Sequence, residues 1–330
     1  MQESGRRIAE APPRALQFAA EVLNRVRREP FRPEGEQGDA ESFVPRLVLR
    51  GQAHLLAGQA CNWTRELERA RSHLELAYRC FARAGGDEVS LALVEHIESQ
   101  RRSFLGRPRD ALILARRALT TFESLGLEEH AARAQASCAL ALDGLNREPE
   151  AVESYVAALR VLERHGLWSN YVGVLNNMAA LYARFGKLDE ARRVYARALR
   201  RLSRERDRSF VAYIRHGLAD VLFAAGFYRE AAVSLAQASR LYRESGLLAS
   251  ALIASLFEVE SWGRHGDLHR ARRRLDLFLE AVAQQRVLDP SVAQEIGEAL
   301  SGSRPDFQRV AELRRQTAEI LSERFRPSPA

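Results

Sequence analysis

The chain has 330 residues, of which 46% are hydrophobic, so it can bury a substantial core and is not globally disordered. No apolar run approaches the ~18 residues that a membrane span needs, and the first residues lack the apolar block of a secretory signal, so we expect a cytoplasmic protein. The net charge of +7 gives little support for nucleic-acid binding, because near-exclusive arginine with abundant alanine is typical of a GC-rich bacterial genome, and Lys187 is the only lysine.

A short region precedes the regular pattern. Residues 13–28 are predicted to form an amphipathic helix, because apolar residues recur there every three or four positions. A polar linker rich in proline and glycine follows at residues 29–41. The helical pattern resumes at Val44, so residues 1–43 are predicted to be an N-terminal helix and linker.

From residue 44 onwards the sequence repeats every 40 residues. A turn position recurs at Gly106, Asn146, Gly186, Gly226 and Gly266. Five residues later comes alanine, at Ala111, Ala151, Ala191, Ala231 and Ala271, and seven further come Ala118, Ala158, Ala198, Ala238 and Phe278. A closing glycine occurs at Gly126, Gly166 and Gly246, and Arg206 interrupts that set. Glycine permits the left-handed turn between two helices, and alanine lets helices pack closely, so the pattern predicts helical hairpins with Ala191 and Ala198 buried.

The repeat divides the chain into hairpins. Five regular hairpins are assigned to residues 87–127, 128–167, 168–207, 208–247 and 248–288, and a first, less regular one to about 44–86. Asp289 and Pro290 then form a typical helix start, a cap residue followed by proline. Two helices, at about 290–300 and 306–324, are expected to close the array. The predicted organisation is therefore a repeat array over 44–288 and a capping region over 289–330.

The central repeat carries a family resemblance. Residues 172–201 read VGVLNNMAALYARFGKLDEARRVYARALRR, and the run NNMAALYARFGKLDEA closely resembles a tetratricopeptide repeat (TPR) hairpin. The 40-residue period is longer than the usual 34 and is similar to the bacterial TPR arrays of peptide-sensing regulators and to kinesin light chains. The resemblance implies an all-α, right-handed TPR superhelix (α-solenoid) of about six hairpins with terminal capping helices.

The same resemblance implies a binding surface. In that family the first helix of each hairpin lines a concave groove, and the family pattern places there His96, Gln100, Arg133, Ser137, Asp143, Asn176, Asn177, Tyr213, His216, Asp220, Phe257 and Glu260. Asparagines at the positions of Asn176 and Asn177 pin the backbone amides of a ligand in similar proteins. The residues that we predict to bind a partner are His96, Gln100, Arg133, Asn176, Asn177, Tyr213, His216 and Asp220. The alternative for the asparagines is that one of them caps a local hydrogen bond and the other meets only water. For His216 and Asp220 the alternative is a locally satisfied pair on a solvated surface.

Other candidate sites are weaker. Two runs of arginines, called here the outer arginines, favour a solvated face, because no aromatic residues are interleaved with them. The first run, mostly on a second helix, is Arg192, Arg193, Arg197, Arg200, Arg201, Arg204, Arg206 and Arg208, and the second is Arg270, Arg272, Arg273 and Arg274. His265 and His269 have metal-ligand spacing, but the inter-helix turn separates them. Three cysteines without CxxC spacing argue against a disulfide framework or a zinc site, and Cys138 is predicted to be a buried thiol. With no GxSxG or HExxH motif, we expect no catalytic residue, no metal and no cofactor.

Three functions remain open from sequence. The first is a non-catalytic interaction scaffold or adaptor that holds a partner peptide or helix in its groove. The second is a ligand-sensing regulatory subunit that changes the activity of a partner. The third, nucleic-acid binding through the outer arginines, is the least favoured, and no membrane partner is expected. The sequence leaves the oligomeric state open.

Overall fold

The structure is a computed structural model that describes residues 40–63, 65–202, 208–285, 290–301 and 306–324. The predicted helix at 13–28 and its linker to residue 39 lie outside these ranges. Within them the chain forms only helices, fourteen in number. They are α1 Ala40–Trp63, α2 Leu67–Arg83, α3 Glu88–Phe104, α4 Pro108–Ser124, α5 Glu128–Gly144, α6 Glu148–Arg164, α7 Trp168–Arg184, α8 Leu188–Arg201, α9 Arg208–Ala224, α10 Tyr228–Glu244, α11 Leu248–His265, α12 Leu268–Gln285, α13 Pro290–Ser301 and α14 Phe307–Arg324. None of these helices is long and apolar enough to cross a membrane.

The turns between paired helices explain the glycine column. After α7, Gly186 adopts a left-handed conformation with φ 72°. Its N–H donates to the Ala183 carbonyl (3.0 Å), and the Lys187 N–H donates to the Tyr182 carbonyl (2.8 Å). These two bonds close the end of the helix as a Schellman motif. Asn146, the exception in the column, has φ 60°, a conformation that asparagine tolerates better than most residues.

The helices form two compact units, with the division between Val174 and Leu175, inside α7. In the first unit, α1 pairs with α2, α3 with α4 and α5 with α6, and the first helices of consecutive hairpins also touch one another. The alanine columns are completely buried at the helix contacts, at Ala70, Ala77, Ala111, Ala118 and Ala151. Larger side chains fill the adjoining space, as Phe81 and Phe122 do.

In the second unit the same packing continues to the C-terminal helices. Ala191 and Ala198 on α8 are completely buried, as the repeat predicted. The helices α13 and α14 extend the core of α11 and α12 through a shared apolar cluster of Leu252, Leu256, Val259, Leu275, Phe278, Val282, Ile296, Val310, Leu313 and Leu321. Within this unit, α14 packs directly against α11, a first helix of a hairpin. The C-terminal helix therefore covers part of the surface that the first helices present.

Candidate functional site

The predicted partner-binding residues all lie on the first helices of hairpins. We call the surface that these helices present the first-helix face of each unit. In the first unit it carries His96 and Gln100 on α3 and Arg133 on α5. In the second unit it carries Asn176 and Asn177 on α7 and three residues of α9, which are Tyr213, His216 and Asp220. The predicted site is thus two clusters, one in each unit.

The cluster of the first unit is a polar network between α3 and α5. Gln100 Nε2 lies 3.4 Å from His96 Nε2 and donates to Ser137 Oγ at the same distance. Ser137 Oγ lies 3.3 Å from His96 Nδ1. These contacts suit a neutral imidazole that accepts at Nε2 and donates at Nδ1. His96 is only 5% exposed, so a partner meets Gln100 rather than the imidazole itself.

Burial shifts the pKa of two side chains in this cluster, His96 and Arg133. Burial, followed by the positive charge of Arg133 and by His130, lowers the pKa of His96 to about 3. Burial also lowers the pKa of Arg133, and Arg133 Nε has no hydrogen-bond partner among the described residues. The network therefore combines one half-buried cation with neutral donors and acceptors.

The cluster of the second unit is organised around the Asn176 side chain. Asn176 Nδ2 donates to Tyr213 Oη (3.0 Å), and Tyr195 Oη donates to Asn176 Oδ1 (3.3 Å). Asn176 is 9% exposed, whereas Tyr213 is 46% exposed. The Asn176 amide thus holds the exposed Tyr213 ring in place. Its hydrogen bonds to the two tyrosines leave fewer of its donor and acceptor sites for a ligand. We call Asn176, Tyr195 and Tyr213 the tyrosine platform.

A glycine makes room for this arrangement. A Cβ at Gly217 on α9 would stand 2.5 Å from Tyr195 Oη and 3.1 Å from Asn176 Oδ1. Any other residue at position 217 would therefore displace the hydroxyl or the amide. Tyr195 lies on α8, a second helix, and its part in the site was missed because the family pattern selects only first-helix positions.

The remaining residues of this cluster differ in their surroundings. The half-buried Asn177 makes no hydrogen bond within the described ranges. The structure gives no support to a local His216–Asp220 pair, because in the described part of the chain neither side chain acts on the pKa of the other. Burial, then the positive charge of Arg314, lowers the pKa of His216 to about 4. Asp220 reaches solvent, yet the protein around it raises the pKa of its carboxyl to about 6, against an opposing effect of Arg314.

The expected place of Phe257 and Glu260 needs correction. Both were predicted to line the concave groove, but they are 2% and 1% exposed because α14 covers them. Arg314 of α14 lies with its guanidinium 4.1 Å from the centre of the Phe257 ring, and its Nε donates to Glu260 Oε2 at 2.6 Å. Nothing in the sequence of α14 singles out Arg314, since its partners lie 54 or more residues away.

Most of the outer arginines lie on exposed positions of second helices, at Arg192, Arg193, Arg197, Arg200 and Arg201 of α8 and Arg270, Arg272 and Arg273 of α12. Several pair with acids one turn earlier, as Arg193 does with Glu190 (3.3 Å). Arg274 differs, because its Nε donates to the buried Glu258 carboxylate at 2.6 Å. Arg204 and Arg206 lie outside the described residues.

The described side chains can be compared with what a metal site or a reactive thiol requires. Within the described ranges no group of three His, Cys, Asp or Glu side chains is placed to hold a metal ion. All three cysteines are buried, as predicted for Cys138. Burial raises the pKa of the Cys138 thiol to about 11, so the thiolate needed for nucleophilic chemistry is disfavoured.

Helical hairpins repeated every 40 residues, packed through buried alanine columns, define an α-helical repeat protein. Residues 171–244 match the tetratricopeptide repeat family. The chain therefore carries tetratricopeptide repeats, and this prediction from the NNMAALYARFGKLDEA run is confirmed. No curated protein sequence matches the chain significantly.

Solved structures have the same fold. A Rap protein complexed with Competence and Sporulation Factor is 12% identical, with 98% of this chain and 88% of that one covered and a TM-score of 0.58. The Rap conjugation gene regulator of the plasmid pLS20, in complex with a Phr peptide, is 16% identical, with 89% and 81% covered and a TM-score of 0.58. A signal transduction ATPase with a tetratricopeptide repeat sensor, from Pyrococcus horikoshii, is 15% identical, with 86% and 44% covered and a TM-score of 0.60. At these identities the likeness concerns the fold, an all-α repeat architecture.

Proposed function

We propose that the chain is a non-catalytic interaction protein that binds an extended segment of a partner protein on its first-helix face. One observation carries this proposal: the tyrosine platform presents an exposed aromatic ring that a nearly buried amide holds in place. A large exposed side chain with a fixed orientation loses little conformational entropy on binding. Tyrosine is also among the residues that most often dominate interface energies.

The neighbours of the platform suit a peptide ligand. Asn177 follows Asn176 directly and keeps its amide free of hydrogen bonds to the described residues, so it can both donate to and accept from a peptide backbone. These groups are carried on helices, which hold side chains more precisely than loops do. We therefore expect the Asn176→Ala/Asn177→Ala double variant to weaken partner binding by about 1–3 kcal/mol, through unpaired ligand amides and a released Tyr213 ring.

The comparisons support the same function. Two solved structures that share the fold are complexes, one with Competence and Sporulation Factor and one with a Phr peptide. A more specific version of this proposal is regulation by such a ligand: binding of the ligand changes how the chain interacts with a partner protein. The outer arginines support nucleic-acid binding less well, because acids of the same helix already pair with Arg192 and Arg193.

Site-specific crosslinking tests this proposal. The photo-reactive amino acid p-benzoylphenylalanine replaces Asn177 in one full-length variant and Arg193, on the outer surface of α8, in another. After irradiation in lysate of the native host, mass spectrometry identifies the attached segment. We expect one defined partner peptide at position 177 and its loss when Tyr213→Ala is added. Crosslinks at position 193 alone, or binding abolished by Arg193→Glu/Arg197→Glu and unaffected by Tyr213→Ala, would place function on the outer surface.

A further inference from the structure

The second unit already holds an arginine on its first-helix face. Arg314 of α14 stacks on the Phe257 ring and donates from Nε to Glu260 Oε2, at 4.1 Å and 2.6 Å respectively. Both partners belong to α11, the first helix of its hairpin. A carboxylate beside an aromatic face is a favourable site for a guanidinium, which forms charge-assisted hydrogen bonds and stacks on rings.

The repeat places a second carboxylate at the equivalent position one hairpin earlier. Asp220 on α9 and Glu260 on α11 are 40 residues apart, which is one repeat. The two side chains therefore leave their helices at the same point of the hairpin and towards the same face. Glu260 has its cation in Arg314, whereas Asp220 makes no hydrogen bond or ion pair with any described residue.

The surroundings of Asp220 are poor in positive charge and rich in tyrosine. Its charge acts on Tyr195 and Tyr242, and burial together with that charge raises the pKa of both phenols. The exposed Tyr213 ring lies two helical turns before Asp220 on α9. Desolvation of the carboxylate by the surrounding protein raises its pKa to about 6, and among the described residues the cation that opposes this shift, Arg314, already pairs with Glu260. An unpaired carboxylate so placed is stabilised by any cation that reaches it.

We propose that Asp220 receives a basic side chain of the partner segment, an arginine above all, in the way that Glu260 receives Arg314. The tyrosine platform beside it supplies the aromatic contact, since position 217, the equivalent of Phe257, is a glycine whose space the Tyr195 hydroxyl fills. This inference rests on the proposed function and specifies its ligand: a peptide with a positively charged residue that lies over α9.

Peptide selection on the full-length protein tests the inference. A random heptapeptide library displayed on phage is selected against the wild type and against Asp220→Asn. Asp276→Asn is the matched control, because it removes the same charge from an exposed position of the outer helix α12. With the wild type and the control we expect arginine or lysine enriched at least threefold at one position of the selected peptides. With Asp220→Asn we expect that enrichment to disappear.

A second measurement isolates the charge. The best peptide is synthesised with its arginine and with citrulline, an uncharged residue of the same shape. For the wild type and Asp276→Asn we expect citrulline to raise Kd at least tenfold, which corresponds to about 1.4 kcal/mol. For Asp220→Asn the two peptides should differ less than threefold, and the citrulline peptide should bind as it does to the wild type, which shows that the variant is folded.

The outcomes separate the two proposals. If peptides are selected but carry no basic residue, or if Asp220→Asn still distinguishes arginine from citrulline tenfold, Asp220 is not the receptor and peptide binding itself stands. If no peptide is enriched above background with any variant, the basic-residue site and the proposed function are both wrong.

Discussion

The strongest stability prediction concerns the attachment of α14 through Arg314. Replacing Arg314 with methionine keeps most of the aliphatic stem and removes the charge that faces Glu260. Removing one partner of a buried ion pair costs about 3–5 kcal/mol, because the other charge is left without compensation. Glu260 is 1% exposed, so it cannot recover this loss from water. The guanidinium stacked on Phe257 adds about 1 kcal/mol.

Two features reduce the expected cost. The Arg314 side chain is 23% exposed, and Arg264 lies 3.9 Å from the other oxygen of Glu260. We therefore expect Arg314→Met to lower the free energy of unfolding of the second unit by about 3 to 4 kcal/mol. Glu260→Gln keeps an oxygen that accepts a hydrogen bond and should cost only about 1–2 kcal/mol. The Arg314→Met/Glu260→Gln double variant should lose about 2 kcal/mol less than the sum of the two single losses.

Urea unfolding followed by circular dichroism measures these values, and hydrogen exchange of the α14 amides shows whether the loss is local. Arg315→Met is the matched control, because Arg315 is the exposed neighbour on the same helix. It should change stability by no more than about 0.5 kcal/mol. If Arg314→Met and Arg315→Met have the same effect, Arg314 does not anchor α14 and the reasoning is wrong.

Three further predictions follow. Ala198→Arg should lower the free energy of unfolding by about 3 kcal/mol or more through overpacking and a buried charge, as measured by urea unfolding, and an unchanged midpoint would contradict the close helix contact. Cys138 should react with a thiol reagent only as fast as the protein opens, and rapid labelling would contradict its burial. Because its folded pKa is lowered, His96 stays neutral while the unfolded chain takes up a proton below pH 6.5, so stability falls with pH down to about 3. Between pH 6.5 and 4.5 the free energy of unfolding should fall by about 2–3 kcal/mol less in His96→Gln than in the wild type. An unchanged dependence of that free energy on pH would refute this prediction.

The sequence predicts the fold well because its strongest signals are local and periodic. A turn glycine is required by backbone geometry alone, and Gly186 adopts the left-handed conformation that the column implies. Alanine is required wherever two helices touch, and Ala191 and Ala198 are accordingly buried. Both requirements recur every 40 residues, so each copy supports the assignment of the others.

The site is less predictable because its important contacts are not periodic. Arg314 reaches Phe257 and Glu260 from a helix outside the repeat, so no column predicts that it covers them. Tyr195 contributes from a second helix, where the family pattern expects only packing. The pattern does place Tyr213 and Asp220 on one face of α9, which is the part of the prediction that depends on helical spacing alone.

The glycine at position 217 shows why the tyrosine platform is more than a packing solution. Glycine inside a helix costs about 1 kcal/mol relative to alanine, and α9 tolerates it in the middle of its length. Alanine at position 217 would force the Tyr195 hydroxyl to move, because its Cβ would stand 2.5 Å from that oxygen. That hydroxyl in turn donates to Asn176, which orients the exposed Tyr213 ring. The helix α9 therefore gives up stability, and in return a polar group holds an exposed aromatic side chain. Such a departure from the local rules of helix stability is expected at a binding surface.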